Sequence, residues 1–129
     1  MSVLFHYPPK SQPSAPFVLV ELGALNGSAA LPPQAARVDT GADRTVVPAD
    51  LIAQLGLGAI AGIVCEGLGG NQVVLLLYRI QLRILGLQPV VVEVASAAGE
   101  PHVLLGLDVL NCYKITLDGP NRSLTIDQP

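Results

Sequence analysis

The sequence predicts an all-β fold, a closed or sandwiched barrel of short strands with one or two short helices. Short apolar segments rich in Val, Leu and Ile recur along the chain, separated by glycine, proline and Asn–Gly turn signals. This pattern is typical of short strands at close spacing. Of the 129 residues, 50% are hydrophobic and 13% are charged. Such a chain can bury enough apolar surface to fold as one domain, which excludes intrinsic disorder.

The beginning of the chain differs from the rest. Four prolines lie among polar residues between positions 8 and 16, and because proline cannot donate a backbone hydrogen bond, this stretch should be extended or mobile. We therefore expect a Pro-rich N-terminal extension over residues 1–16 and a folded domain over residues 17–129. Residues 3–5, Val-Leu-Phe, fit a short edge strand and a frayed terminus equally well.

The elements of the folded domain follow from apolar segments and the turn residues between them. The predicted strands are residues 17–22, 35–38, 45–47, 63–66, 72–77, 78–85, 90–95, 103–105, 115–117 and 124–126. A helix is predicted over residues 50–55, where Gly56 supplies the C-terminal stop, and a second short helix over residues 109–114. The glycine-rich stretch 67–70 predicts the tip of a hairpin, and residues 118–121 predict the turn of a last hairpin.

Composition excludes several classes of function. The net charge of -3 provides no basic surface for nucleic acid, and the longest apolar runs fall far short of the roughly 18 residues that indicate a membrane span. The chain opens without the charged and apolar regions of a signal peptide. Its two cysteines do not suggest a disulfide scaffold, and they fit a reducing compartment such as the cytoplasm.

Common catalytic motifs are also absent from the sequence. It contains no G-x-S-x-G, no H-E-x-x-H and no Walker loop. His6 and His102 have no ligand-type residues nearby in the sequence, so no metal site is predicted. Cys65 and Cys112 are interpreted as small apolar residues that fill space.

One stretch, residues 38–48, combines residue types suited to catalysis: Val-Asp-Thr-Gly-Ala-Asp-Arg-Thr-Val-Val-Pro. An acidic residue, Asp39, follows an apolar strand and precedes a hydroxyl residue and a glycine. A plain turn after a strand would use the same residue types. Whether this stretch is catalytic or a plain turn therefore has to be decided from the rest of the chain.

That context resembles the retropepsin-like aspartic proteases, the single-domain, homodimeric relatives of pepsin. The resemblance is carried by Asp39-Thr40-Gly41-Ala42-Asp43, by the apolar block at residues 103–110 and by the glycine-rich tip between them, and it covers about residues 17–126. It implies a closed acid-protease barrel with a flap hairpin, and it makes residues 17–129 the protease domain. It also implies an endopeptidase that acts on peptide or protein substrates and needs no cofactor.

The family resemblance also implies roles for individual residues. Two carboxylates share one proton in this chemistry, one acting as base on water while the other protonates the substrate carbonyl. Because the chain has one Asp-Thr-Gly, the second carboxylate would come from a second subunit of a homodimer. The implied site consists of Asp39 as the catalytic residue, Thr40, Gly41 and Ala42 in the active-site loop, and Asp43, Arg44, Gly67, Leu68, Gly69 and Gly70 at the substrate.

Two positions depart from the family pattern. Arg44 stands where a side chain lining a specificity pocket is expected, although a solvated surface charge is the simpler interpretation. Leu107 stands where viral relatives carry an arginine that pairs with the acid equivalent to Asp43. Either Arg44 provides that cation, or Asp43 is held less firmly.

Two other functions remain compatible with the sequence. The chain could be a catalytically weak retropepsin-like module for dimerisation or peptide binding, or a β-barrel ligand-binding protein in which Asp39 only caps a loop. The intact Asp39, Thr40 and Gly41 favour the enzyme, since a degraded motif would have favoured the module.

Overall fold

The computed structural model describes residues 1–9, 14–27, 30–67 and 69–129. This part of the chain is built mainly of strands, which confirms the predicted all-β class. The elements are β1 Ser2–His6, β2 Phe17–Gly23, β3 Gln34–Val38, β4 Val46–Pro48, α1 Ala49–Leu55, β5 Ala61–Glu66, β6 Gln72–Ile84, β7 Val90–Ala97, β8 Val103–Leu105, α2 Leu107–Leu110, β9 Lys114–Asp118 and β10 Ser123–Asp127. Among the described residues, no helix is both long and apolar enough to cross a membrane.

The larger of two sheets has its strands in the order β2-β3-β8-β4-β7-β6-β5, and an additional pairing joins β2 to β6. The pairings therefore run in a closed circuit through β2, β3, β8, β4, β7 and β6, with β5 attached outside it as the partner of β6. The β3–β8 and β4–β7 pairs are parallel, whereas the pairs that β6 makes are antiparallel. Each parallel pair brings together segments that are far apart in the sequence.

The core lies inside this circuit and follows from the two-residue alternation of the strands. On β2 every second residue, from Val18 through Val20 to Leu22, is buried, and Ile80, Leu82 and Ile84 repeat the pattern on β6. Burying a side chain of this size contributes about 1.5–3 kcal/mol. The core is therefore the main source of stability for the strands that position the site.

A second, three-stranded antiparallel sheet has the order β1-β10-β9. Residues 3–5 thus lie in a strand that pairs with β10 of the same chain, with Val3 opposite Ile126. Leu124 and Ile126 have no exposed surface and belong to the core cluster. The structure therefore connects both ends of the chain to the core of a single subunit.

Three predicted elements, the strands over residues 72–77 and 78–85 and the second helix, have bounds that differ by more than two residues in the structure. Residues 72–84 form one long strand, because this segment contains no glycine or proline that would end a strand near Leu77 and Tyr78. The second helix is α2 at Leu107–Leu110, so the predicted helix over residues 109–114 was wrong in its bounds. Tight packing around Gly106, described below, sets its start. The stop of α1 at Gly56 is confirmed, since this glycine has φ +68°.

Candidate active site

Asp39 lies directly after β3, at the point where the parallel β3–β8 pair ends. Its backbone N–H donates to the Leu105 carbonyl at 3.0 Å, which continues the pairing by one more bond. The Gly41 N–H donates to Asp39 Oδ1 at 3.0 Å, and the Ala42 N–H donates to the Asp39 carbonyl at 3.2 Å. The carboxylate of half-buried Asp39 is thus oriented through one oxygen by its own loop.

The loop that carries Asp39 rests on Gly106. A Cβ atom at Gly106 would lie 2.6 Å from the Arg44 carbonyl carbon and 2.8 Å from the Ala42 carbonyl oxygen, so only glycine fits this contact. The Leu107 N–H donates to the Ala42 carbonyl at 2.8 Å, and the Asp108 N–H donates to the Asp43 carbonyl at 3.2 Å. The first N–H groups of α2 therefore find their acceptors in the Asp39 loop.

A buried hydroxyl connects the same loop to α2 a second time. Thr45 is fully buried, and its Oγ1 accepts a hydrogen bond from the Gly106 N–H at 3.0 Å and donates one to Asp108 Oδ1 at 2.7 Å. The Asp108 carboxylate also accepts from the Thr45 N–H at 3.0 Å and from the Val109 N–H at 2.9 Å. Sequence reasoning missed Thr45 and Asp108 as site residues, because each has an ordinary local context and their separation of 63 positions carries no motif.

The remaining residues of the predicted loop have different surroundings. Thr40 and Gly41 are exposed, and Ala42 is half-buried. Asp43 is exposed, and within the described part of the chain its carboxylate has no hydrogen-bond or ion-pair partner. Arg44 does not supply the missing cation, because its Nη1 donates to the Glu93 carbonyl at 3.0 Å. Arg44 is thus a half-buried link from the loop to β7 and not a freely solvated charge.

The predicted hairpin is formed by β5 and β6, which pair from Ala61 opposite Leu77 to Glu66 opposite Gln72. At its tip the Gly67 N–H donates to the Asn71 carbonyl at 2.8 Å, and Gly69 and Gly70 have φ of +87° and +82°. Leu68, the other residue predicted at the tip, lies outside the described residues.

The hairpin exposes apolar side chains. Val64 on β5 and Val74 on β6 are 63% and 64% exposed. A groove of about 430 Å³ runs along β6 where the hairpin meets α1 and the end of β7, and it is lined by residues 73–76, Ala49 and residues 96–98. A hairpin with exposed apolar residues beside an apolar groove is suited to cover an extended peptide.

No group of three or more His, Cys, Asp or Glu side chains within the ranges described above is placed to hold a metal ion. Burial raises the pKa of Tyr113, which follows α2. Hydrogen bonds from the side chain and backbone of Asn121 lower the pKa of Asp118, in the β9–β10 turn.

The family model described as aspartyl protease matches residues 23–109. That range contains the Asp39 loop, the hairpin and the Gly106 contact. The chain belongs to the aspartyl protease family.

The fold of this member of the aspartyl protease family is retropepsin-like. A retropepsin-like aspartic protease from Rickettsia conorii superposes with a TM-score of 0.65 at 12% identity, over 98% of this chain and 90% of the other. EIAV protease, in complex with the inhibitor HBY-793, gives a TM-score of 0.59 at 22% identity, over 83% and 92% of the two chains. The foamy viral protease-reverse transcriptase gives 0.55 at 17% identity, over 76% of this chain and 12% of that one. A search of curated proteins gave no significant match.

Proposed function

We propose that this aspartyl protease is an endopeptidase whose active site is a dyad of Asp39 from two subunits. The observation that carries the proposal is the Asp39 carboxylate itself. One of its oxygens accepts a hydrogen bond from the Gly41 N–H, and the surrounding loop is hydrogen-bonded to α2. The family model matches the chain across this whole region. A carboxylate that only capped its own loop would not require that loop to pack against Gly106 as well.

The chemistry needs two carboxylates and one proton. One carboxylate removes a proton from a bound water, which attacks the peptide carbonyl carbon, while the other carboxyl group donates its proton to the carbonyl oxygen. The tetrahedral intermediate then collapses as the leaving nitrogen is protonated. Because each chain has a single Asp-Thr-Gly, a twofold axis would place the partner's loop beside Asp39.

The other predicted residues receive roles in this dimer. Thr40, which is exposed within one chain, would donate its hydroxyl to the backbone of the partner loop, and Gly41 would allow the close approach. Asp43 would accept hydrogen bonds from the substrate backbone, and Arg44 would line a subsite with its half-buried stem. The tip at residues 67–70 would close over the bound peptide.

The proposal extends to organisation and location. Residues 17–129 would form the protease domain, and residues 1–16 an extension that adds β1 to the second sheet. Cys65 and Cys112 are both free thiols, which supports a reducing compartment, the cytoplasm. Peptides or proteins would be the substrates, without nucleic acid or a membrane as partner and without a metal or other cofactor.

The decisive experiment compares Asp39→Asn with Asp50→Asn, which makes the same change at an exposed carboxylate in the first turn of α1. A peptide library is incubated with each protein, and cleavage is followed by mass spectrometry. We expect Asp39→Asn to lose several powers of ten in rate, because the dyad supplies both acid and base. The Asp50→Asn protein should cleave like the wild type.

The oligomeric state is measured by sedimentation on the same samples. An active monomer, or cleavage by Asp39→Asn, would contradict the dyad. A folded wild-type dimer that cleaves no peptide between pH 3 and 8 would instead favour the dimerisation or peptide-binding module.

A further inference from the structure

Arg37 is a charged residue next to the proposed dyad that has no function in the mechanism above. It lies on β3, is exposed and precedes Asp39 by two residues. Arg79 and Arg83, which lie on β6, each form an ion pair with a glutamate. Within the described ranges, the Arg37 guanidinium has neither a hydrogen bond nor an ion pair.

The alternation of β3 puts this cation on the same side as the catalytic carboxylate. Ala36 and Val38 point into the core, while Ala35 and Arg37 are exposed on the other face. Asp39, which is half-buried and directly follows β3, is the next residue of this series, and its N–H still pairs with β8. Residues two apart on a strand share a face and are about 6.5 Å apart, so Arg37 is one side-chain position away from Asp39.

Apolar and aromatic side chains flank Arg37 across the sheet. Its register partners are Phe17 on β2 and Leu104 on β8, and side chains opposite one another in register share a face. Both neighbours are half-buried, and the Phe17 ring meets the His102 ring edge to face with 4.9 Å between centroids. The Arg37 guanidinium therefore lies between apolar side chains of the two neighbouring strands, on a surface that would contact the side chains of a bound peptide.

We propose that Arg37 is a specificity-determining residue that binds a carboxylate side chain of the substrate beside the scissile bond; this inference rests on the proposed function. The planar guanidinium can bind a carboxylate through two parallel hydrogen bonds, and Phe17 and Leu104 can pack against the methylene groups of a glutamate. A substrate lysine or arginine would meet a like charge, and a neutral side chain would leave the guanidinium without a partner once the flap excludes water.

In the proposed twofold dimer, the preference for a substrate glutamate would apply on both sides of the scissile bond. Each subunit of the dimer contributes one Arg37, so the residues on both sides of the scissile bond would face a guanidinium. Peptides with a glutamate on either side should be cleaved, and those with glutamate on both sides should be the best substrates.

The test uses peptides found as substrates in a library, resynthesised as pairs that differ only by Glu or Gln next to the cleaved bond. For the wild type we expect kcat/KM to be about 10- to 100-fold higher with Glu, the range of a charge-assisted hydrogen bond. Arg37→Gln should bring the ratio close to one, and Arg37→Glu should make a Lys peptide the better substrate. Arg122→Gln is the matched control, since Arg122 is an exposed arginine in the β9–β10 turn.

The specificity ratio separates recognition from a structural role, because a damaged fold lowers cleavage of both peptides of a pair equally. A ratio near one in the wild type, or one that Arg37→Gln leaves unchanged, would overturn the inference while the proposed function stood. If the folded protein cleaves no peptide, the proposed function fails, and library peptides selected by binding are resynthesised as Glu and Gln pairs and compared by fluorescence polarisation. Equal affinities would then overturn the role of Arg37, and tighter binding of the Glu peptide that Arg37→Gln removes would support it.

Discussion

Gly106 is the residue with the least free space beneath the Asp39 loop. The three nearest contacts of a Cβ at this position would all be with backbone atoms, two of Arg44 and one of Ala42, which cannot rotate away. We expect Gly106→Ala to lower the free energy of unfolding by about 1–3 kcal/mol or more and to reduce kcat/KM strongly, because the loop must shift. Urea unfolding and peptide cleavage provide the two measurements.

Gly58→Ala is the control for this substitution, because a Cβ at Gly58 has no atom within 4 Å and its backbone is not in the left-handed region. Equal unfolding midpoints for the two variants would show that the loop does not pack on Gly106 as closely as described.

The hydrogen bonds of the buried Thr45 hydroxyl can also be tested by substitution. Thr45→Val keeps the shape of the side chain but leaves the buried Gly106 N–H without its acceptor. An unsatisfied buried donor destabilises a protein by about 1–3 kcal/mol, and Thr45→Ser should recover most of this loss. Thr116→Val, at an exposed position on β9, should have little effect. If thermal unfolding of the Thr45 and Thr116 variants is the same, the hydroxyl is not a structural link.

Local sequence predicted some of these residues and not others. Asp39, Thr40 and Gly41 are adjacent and follow an apolar strand, so their pattern can be read directly. The contacts of Thr45 and Gly106 depend on which distant segments meet, and a single sequence without its fold does not contain that information. For the same reason the bond from Arg44 to Glu93 was not foreseen.

The conformation of the β5–β6 hairpin at its tip can be tested by substitution. Gly70→Ala introduces a side chain at φ +82°, where an L-residue is strained by about 1 kcal/mol. We expect a several-fold lower kcat/KM with a small change in global stability, because Gly70 is exposed and contributes nothing to the core. Gly27→Ala imposes similar strain at φ +77° in the turn after β2 and should leave kcat/KM unchanged. Equal kcat/KM values for the two variants would show that the geometry of the tip is irrelevant to cleavage.

Secondary structure was predictable where local patterns decide it. Alternation identified most strands, and Gly56 identified the end of α1, because both signals act within a few residues. The helix after β8 was misplaced because its start is set by the packing of Gly106 on residues 42–44 and not by its own sequence.

At the scale of the whole molecule, the proposed dimer can be tested through Thr40. This residue is exposed in one chain, and a hydroxyl bonded across the twofold axis occurs twice per dimer. With about 1 kcal/mol for each bond, Thr40→Ala should raise the dimer dissociation constant by about 10- to 30-fold, whereas Thr40→Ser should not. Sedimentation velocity over a concentration series measures both, and an unchanged constant for Thr40→Ala would exclude a bridging hydroxyl.

The sequence does not show which strands would lie between two subunits of the proposed dimer. Leu124 and Ile126 are buried core residues, and β1 pairs with β10 in the same chain. An interface strand and a core strand have the same apolar alternation, so the sequence could not distinguish them. Deleting residues 123–129 would therefore unfold the subunit as well as any dimer.

The parallel pairing of β3 with β8 has a consequence for protein synthesis. Asp39 is translated early, but its loop takes its shape against residues 105–108, which are about half the chain away. A nascent chain therefore cannot build the loop until that later segment has left the ribosome, and parallel pairs over such distances form slowly. If the protein is a protease, its peptide-cleaving site would form only after residues 105–108 have left the ribosome, so nascent chains shorter than this would be unable to cleave peptides.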